Sequence, residues 1–172
     1  MEQGYVHVYT GNGKGKTTSM LGLTLRACGA GMKVYICQFM KSMKYNEALA
    51  IEKYLLGVEI YQYGTGCIIN RDPSQEDVDM ASTAMSKALE ALQSGKYDIV
   101  MLDEINIAAH LGILSVNDIL DLISKKPINV ELVLTGRNAA LEVIEAADLV
   151  SEIMEVKHYY NKGIMAREGI EK

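Results

Sequence analysis

The sequence predicts an α/β fold with a mostly parallel sheet of about six strands flanked by helices. Short apolar runs typical of buried strands alternate along the chain with segments of helical periodicity, and no internal repeat interrupts them. A glycine-rich stretch joins the first apolar run to the first helical segment. The 172 residues fit one domain and include only two prolines, so we predict a single domain over residues 1–172.

Each strand is predicted from a run rich in aliphatic, β-branched and aromatic residues. The runs cover residues 5–9, 34–39, 58–63, 97–102, 130–134 and 149–156. Helical spacing of apolar residues predicts helices over residues 19–30, 46–56, 72–94, 115–126 and 139–147. Asp72 is the expected N-cap of the third helix, with Pro73 at its first position and Gln75 closing a capping box.

The glycine-rich stretch is Thr10-Gly11-Asn12-Gly13-Lys14-Gly15-Lys16-Thr17-Thr18. Between a strand and a helix, such a stretch is typical of a phosphate-binding P-loop, whose backbone N–H groups surround an anion. The fold class is therefore predicted to be a P-loop (RecA-like) fold. The predicted ATP-binding residues are Gly11, Asn12, Gly13, Lys14, Gly15, Lys16, Thr17 and Thr18. Thr10 stands where the usual pattern has glycine, and the alternative interpretation is a glycine-rich turn with surface lysines.

A second motif ends the fourth predicted strand, where two acids, Asp103 and Glu104, follow an apolar run. An acid at this position can hold the Mg²⁺ that bridges nucleotide phosphates, and the Thr17 hydroxyl can be a further ligand. The predicted metal residues are thus Thr17, Asp103 and Glu104, and the sequence leaves open which acid contacts Mg²⁺. The alternative is a carboxylate that caps a loop or pairs with a lysine.

Other polar residues follow predicted strand ends, and ligands of parallel sheets bind at that rim. Arg137 follows the fifth strand, where a guanidinium could meet phosphate oxygens, although a structural salt bridge explains it equally well. The loop over residues 64–71 follows the third strand.

Composition excludes several classes of function. A net charge of −5 with scattered basic residues disfavours a nucleic-acid partner. No apolar run is long enough for a membrane span and the N-terminus is unlike a signal peptide, so a cytoplasmic location is expected. The three cysteines contain no Cys-x-x-Cys pair, so neither a zinc site nor a disulfide framework is predicted.

Together these motifs resemble the ATP:corrinoid adenosyltransferases of the P-loop type, which act on cob(I)yrinic acid a,c-diamide and cobalamin. The Thr10 position departs from the general P-loop pattern in the way that family does. Beyond residues 10–18, the matching segments are Arg26-Ala27, Gln38-Phe39, Leu102-Asp103-Glu104-Ile105, Thr135-Gly136-Arg137, Ala147-Asp148-Leu149-Val150-Ser151-Glu152, Val156-Lys157-His158, Gly163-Ile164 and Gly169-Ile170-Glu171.

The resemblance implies a reaction in which Co(I) of a reduced corrinoid attacks C5′ of ATP and inorganic triphosphate leaves. The cobalt of the substrate is then the nucleophile, so the protein must mainly hold and neutralise the leaving group. This implies catalytic roles for Lys16 and Arg137, with Mg²⁺ as cofactor. A reduced flavoprotein as electron donor and a homodimeric assembly are also implied by the resemblance.

One loop departs from the family pattern. Relatives carry aromatic residues after the third strand, which crowd the lower face of the corrin, whereas this chain has no Trp and carries Gly66-Cys67-Ile68-Ile69 there. By this match the corrinoid is expected at Gly66, Cys67, Ile69 and Arg71, with Ile69 excluding water in place of the rings. Two alternatives stay open: a RecA-type P-loop ATPase, and an ATP-binding regulatory module without corrinoid chemistry.

Overall fold

A computed structural model of the chain describes residues 1–66 and 71–171. Its strands are β1 (Val6–Thr10), β2 (Val34–Phe39), β3 (Val58–Tyr63), β4 (Ile99–Asp103), β5 (Glu131–Thr135) and β6 (Leu149–Glu152). They form one sheet of six strands in the order β3-β2-β4-β5-β1-β6, and every pairing is parallel. The predicted α/β class and the parallel sheet are confirmed.

The helices are α1 (Lys16–Gly29), α2 (Asn46–Tyr54), α3 (Gln75–Gln93), α4 (Ile105–His110), α5 (Val116–Ser124) and α6 (Leu141–Ala146), and a 3-10 turn covers Tyr159–Lys162. No helix in the described part of the chain is both long and apolar enough to cross a membrane. Helices connect the strands one after another, as parallel pairing requires.

The central strands are buried on both faces, which explains their continuous apolar runs. Side chains of β4 alternate between two cores, because successive residues of a strand point to opposite faces of its sheet. Val100 and Leu102 pack into the core that includes Ala84 of α3, whereas Met101 packs into the core that includes Met20 of α1. This two-sided burial fixes the register of β4, and with it the position of the acids at its end.

Several predicted boundaries were wrong. The N-cap of α3 is Ser74, whose hydroxyl accepts from Asp77 N while the Asp77 carboxylate accepts from Ser74 N, so the box lies two residues after the predicted one at Asp72. Helix α1 begins at Lys16, three residues before its predicted start. Strand β6 ends at Glu152, and α4 was not predicted as a helix at all.

Candidate active site

The P-loop connects β1 to α1 and takes its shape from glycines that serve two different purposes. Gly11 and Gly15 have φ of 95° and 129°, a region that L side chains rarely adopt. A Cβ at Gly11 would lie 2.5 Å from the carbonyl oxygen of Ile153, and a Cβ at Gly13 would lie 2.7 Å from that of Met154. The loop therefore packs directly on the backbone that follows β6, which the Gly13 N–H also holds through a 2.7 Å bond to Ile153 O.

Lys16 begins α1 and is only 6% exposed. Its ammonium donates hydrogen bonds to the carbonyl oxygens of Gly11 and Gly13, at 2.7 and 2.8 Å. Burial lowers the pKa of Lys16; the charge of Glu104 opposes this shift and that of Arg137 adds to it. A partly desolvated ammonium held at the centre of the loop is well placed to meet phosphate oxygens, because its attraction for them is screened little by water.

Asp103 at the end of β4 is fully buried, and its carboxylate connects β4 to β2, β5 and α1 through hydrogen bonds. Its Oδ1 accepts from the hydroxyls of Thr17 (2.9 Å) and Thr135 (2.7 Å). Its Oδ2 accepts from Gln38 Nε2 (2.9 Å) and Lys41 Nζ (3.1 Å). Since the Thr17 hydroxyl donates its hydrogen bond to Asp103, the oxygen lone pairs of Thr17 remain available to a cation.

Glu104 follows in the left-handed conformation, with φ of 64°, and its N–H donates to Thr135 Oγ1 at 3.0 Å. This conformation turns the chain sharply from β4 into α4, and the Glu104 side chain lines the cleft described next. Burial and the neighbouring Asp103 charge raise the pKa of Glu104, whereas Lys41, Lys16 and Arg137 oppose that rise. The neighbouring positive charges therefore do not fully offset the cost of burying this carboxylate, so it is suited to bind a cation.

A cleft of about 690 Å³ opens over the carboxyl ends of the strands. Its walls come from the P-loop, from the start of α2, from the residues after β4 and β5, and from the end of the chain. The lining includes Gly13, Lys14, Gly15, Lys16, Thr17, Thr18, Lys41, Tyr45, Glu47, Glu104, Arg137, His158, Gly169, Ile170 and Glu171. Most predicted ATP-binding residues and both predicted catalytic residues therefore face one space, while Asp103 lies behind it.

The chemistry of the donors fits Mg²⁺. No group of three or more His, Cys, Asp or Glu side chains converges as a metal site within residues 1–66 and 71–171. Mg²⁺ at nucleotide sites is commonly held by one or two protein oxygens together with phosphates and water. Thr17 and Glu104 offer such oxygens at the cleft, whereas the two oxygens of Asp103 already accept four hydrogen bonds.

Lys14 connects the P-loop to residues 159–171. Its ammonium donates to Tyr159 OH (2.9 Å), to Ile170 O (3.2 Å) and to Glu171 Oε1 (2.8 Å). We name residues 167–171 the C-terminal strap. The strap also meets the other wall of the cleft, where Asn46 Nδ2 donates to Glu168 Oε1 at 2.9 Å. The phosphate-binding role predicted for Lys14 remains a prediction.

The predicted corrinoid-binding residues are placed only in part. Gly66 and Arg71 do not line the cleft, and Cys67 and Ile69 lie outside the described residues. The guanidinium of Arg71 pairs with the Asp77 carboxylate at 2.6 Å and donates to Thr65 Oγ1 at 2.8 Å. In this arrangement Arg71 anchors the loop after β3 to the start of α3.

The same loop adjoins the end of β2. A Cβ added at Gly64 would lie 2.6 Å from the Cα and C atoms of Met40 and 2.7 Å from Lys41 N. Met40 itself has φ of 59°, so the chain turns tightly at this point. The loop over residues 64–66 and the turn that carries Lys41 are therefore in backbone contact.

This contact makes a testable prediction about Gly64→Ala. We expect the added methyl group to lower the free energy of unfolding by roughly 1–3 kcal/mol, because rigid backbone would have to move. Gly22→Ala is the matched control: Gly22 is exposed within α1 with nothing within 4 Å of the added Cβ. It should raise stability by roughly 0.5–1 kcal/mol through helix propensity. Urea unfolding of both variants measures the difference, and equal effects would contradict the close approach at Gly64.

Gln38, Lys41 and Thr135 hold Asp103, yet sequence reasoning assigned them no role. The available signal was position, since Gln38 is in β2, Lys41 just follows it and Thr135 ends β5. The strap was also missed, although Gly169, Ile170 and Glu171 formed one of the segments behind the family resemblance.

Comparison with known proteins supports one family. The family model described as ATP:corrinoid adenosyltransferase BtuR/CobO/CobP matches residues 2–171. A corrinoid adenosyltransferase of Sinorhizobium sp is 38% identical over 99% of this chain and 81% of its own length. Corrinoid adenosyltransferases of Pseudomonas aeruginosa and Escherichia coli (strain K12) are 37% and 33% identical over 99% of this chain, covering 84% and 86% of their own lengths. The chain belongs to the ATP:corrinoid adenosyltransferase family.

Proposed function

We propose that this protein is a transferase that moves the 5′-deoxyadenosyl group of ATP to Co(I) of a reduced corrinoid and releases triphosphate. Family membership supports the reaction class. The observation that carries the proposal is the convergence of Lys16, Thr17, Glu104 and Arg137 on one cleft at the carboxyl ends of the strands.

The reaction is a displacement at C5′. An electron pair of Co(I) forms the cobalt–carbon bond while the C5′–O bond breaks, and the bond's electrons leave with the triphosphate oxygen. Negative charge therefore develops on the leaving group in the transition state. Lys16 and Arg137 are the side chains that we assign to neutralise it, as donors placed where charge appears.

Mg²⁺, when bound, supplies further positive charge to the triphosphate. Thr17 and Glu104 would hold it, because both present oxygen atoms to the cleft. Asp103 lies behind them and accepts a hydrogen bond from the Thr17 hydroxyl, which would leave the oxygen lone pairs of Thr17 available to the cation. The Mg²⁺ requirement is part of this proposal.

Four further elements of the proposal rest on the family resemblance or the sequence. These are a corrinoid site that includes Gly66, Cys67, Ile69 and Arg71, a reduced flavoprotein as electron donor, a homodimeric assembly and a cytoplasmic location. The contact between the loop over residues 64–66 and the Lys41 turn supports the first element, because it brings the predicted corrinoid loop beside the nucleotide cleft.

One assay tests the function. The protein is incubated with ATP, Mg²⁺ and chemically reduced cob(I)alamin, and both the loss of Co(I) absorbance and the phosphate product are followed. We expect adenosylcobalamin together with intact triphosphate. Orthophosphate release without corrinoid would instead favour a P-loop ATPase. ATP binding with no turnover would favour a regulatory module.

A further inference from the structure

Lys41 is a charged residue of the cleft to which the proposed function assigns no role. It lies two residues after the end of β2, its side chain is only 16% exposed, and it lines the same space as Lys16 and Arg137. Its ammonium lies 3.1 Å from Asp103 Oδ2 and 3.4 Å from Glu47 Oε1, and 5.6 Å from the centre of the Tyr45 ring.

The surroundings keep this ammonium charged. Two carboxylates face it, with Asp103 Oδ2 at 3.1 Å and Glu47 Oε1 at 3.4 Å, so the ammonium forms ion pairs in its protonated form. A buried lysine that remains protonated is a fixed positive charge in a site with limited access to water. Such a charge interacts strongly with an anion that enters the site.

Hydrogen bonding alone does not explain Lys41. Asp103 accepts three other hydrogen bonds, from Thr17, Thr135 and Gln38, so its oxygens would stay occupied without the lysine. What Lys41 adds is a positive charge whose position is fixed by Asp103. Thr17 binds one oxygen of the Asp103 carboxylate and Lys41 binds the other, which sets a cation-ligating hydroxyl and an ammonium side by side at the cleft.

We propose that Lys41 is a second catalytic lysine, whose ammonium contacts the triphosphate of bound ATP and stabilises it as a leaving group. The proposal rests on the proposed function for its catalytic part. As the C5′–O bond breaks, its electron pair passes to the triphosphate oxygen, and Lys41 donates a hydrogen bond to the triphosphate without transferring its proton. Asp103 and Glu47 orient the lysine, and Lys16 acts from the P-loop.

Isothermal titration with Mg²⁺ and tripolyphosphate tests the contact without any corrinoid. Lys41→Met should weaken tripolyphosphate binding by about 10- to 100-fold, the usual range for a lost charge-assisted hydrogen bond. Lys41→Gln, which retains a donor for Asp103 but no charge, should lose a similar factor and also serves if the Met variant does not fold. Lys44→Met is the control, because Lys44 is 56% exposed, pairs with Glu52 and lies outside the cleft.

The variants separate a contact from a structural role. A structural lysine would lower the midpoint of thermal unfolding while leaving the affinity for tripolyphosphate unchanged, and that result would overturn the proposal. Affinity lost in both Lys41 variants and unchanged in Lys44→Met supports it. The catalytic part is then measured as kcat at saturating ATP with cob(I)alamin, which should fall in Lys41→Gln. Because the titration needs no corrinoid, failure of adenosyl transfer in the wild type would count against the proposed function and leave the triphosphate contact testable.

Discussion

Replacing Lys16 with alanine should lower kcat/KM for adenosyl transfer by about 10²–10³-fold, the loss typical of removing one donor from a developing oxyanion. Lys16 is the buried ammonium at the centre of the P-loop, and its pKa is already lowered by burial. Its removal takes a desolvated positive charge from the leaving triphosphate. It also removes the hydrogen bonds that Lys16 donates to the carbonyl oxygens of Gly11 and Gly13, and these bonds help to hold the loop in shape.

The measurement is the rate of adenosylcobalamin formation from ATP and cob(I)alamin at several ATP concentrations. Lys33→Ala is a suitable control, because this exposed lysine precedes β2 at the amino ends of the strands, opposite the cleft. It removes the same charge far from the cleft and should leave the rate within about twofold of the wild type. If Lys16→Ala kept a rate within about tenfold of the wild type, the assignment of Lys16 to the leaving group would be wrong.

Glu104→Gln should have opposite effects on activity and on stability. We expect adenosyl transfer to fall by about 10²-fold, because the variant loses a carboxylate that we assign to Mg²⁺. We also expect the variant, without ligands, to unfold at a higher temperature than the wild type at neutral and alkaline pH. The reason is that burial and the Asp103 charge raise the pKa of Glu104, so its ionised form is disfavoured in the folded protein.

The direction of the expected stability change in Glu104→Gln depends on pH. A raised pKa in the folded state means that folding favours the protonated carboxyl, and this contribution is fully present below the pKa of the unfolded chain. It is lost as the pH rises through the folded pKa, where the buried charge becomes a cost that the neutral amide of the Glu104→Gln variant would not carry. Thermal unfolding measured from acid to alkaline pH should therefore show that the Glu104→Gln variant exceeds the wild type in Tm by an amount that grows as the pH rises. Exposed Glu145 on α6 is the control, since Glu145→Gln should show no such widening.

Local patterns were enough to predict the P-loop and the acids after β4. Each depends on residues that are close in the sequence, so glycine spacing and an apolar run that ends in carboxylates identify them. The two-sided burial of β4 then sets Asp103 at the rim of the sheet, as parallel strands require. Helix α4 could not be predicted in the same way, because six residues hold too few turns for apolar periodicity to be recognised.

The partners of Asp103 depended on strand order, which alternation of strands and helices does not specify. Gln38 and Thr135 meet at Asp103 because β2 and β5 lie on the two sides of β4. Similarly, nothing within the P-loop distinguishes Lys14 from Lys16. Lys14 bonds to Tyr159 and Glu171, more than a hundred residues later, whereas Lys16 bonds to carbonyl oxygens within the loop.

The backbone contact at Gly64 has a thermodynamic consequence for how substrates would bind. The turn that carries Lys41 lines the cleft to which we assign ATP, and the loop that touches it is the predicted corrinoid loop. Because backbone meets backbone at this contact, a shift of the Lys41 turn on ATP binding would also move the corrinoid loop, and a shift of that loop would move the turn. By linkage, ATP should then raise corrinoid affinity by the same factor by which corrinoid raises ATP affinity. Coupled binding of the two substrates would then follow from this one backbone contact.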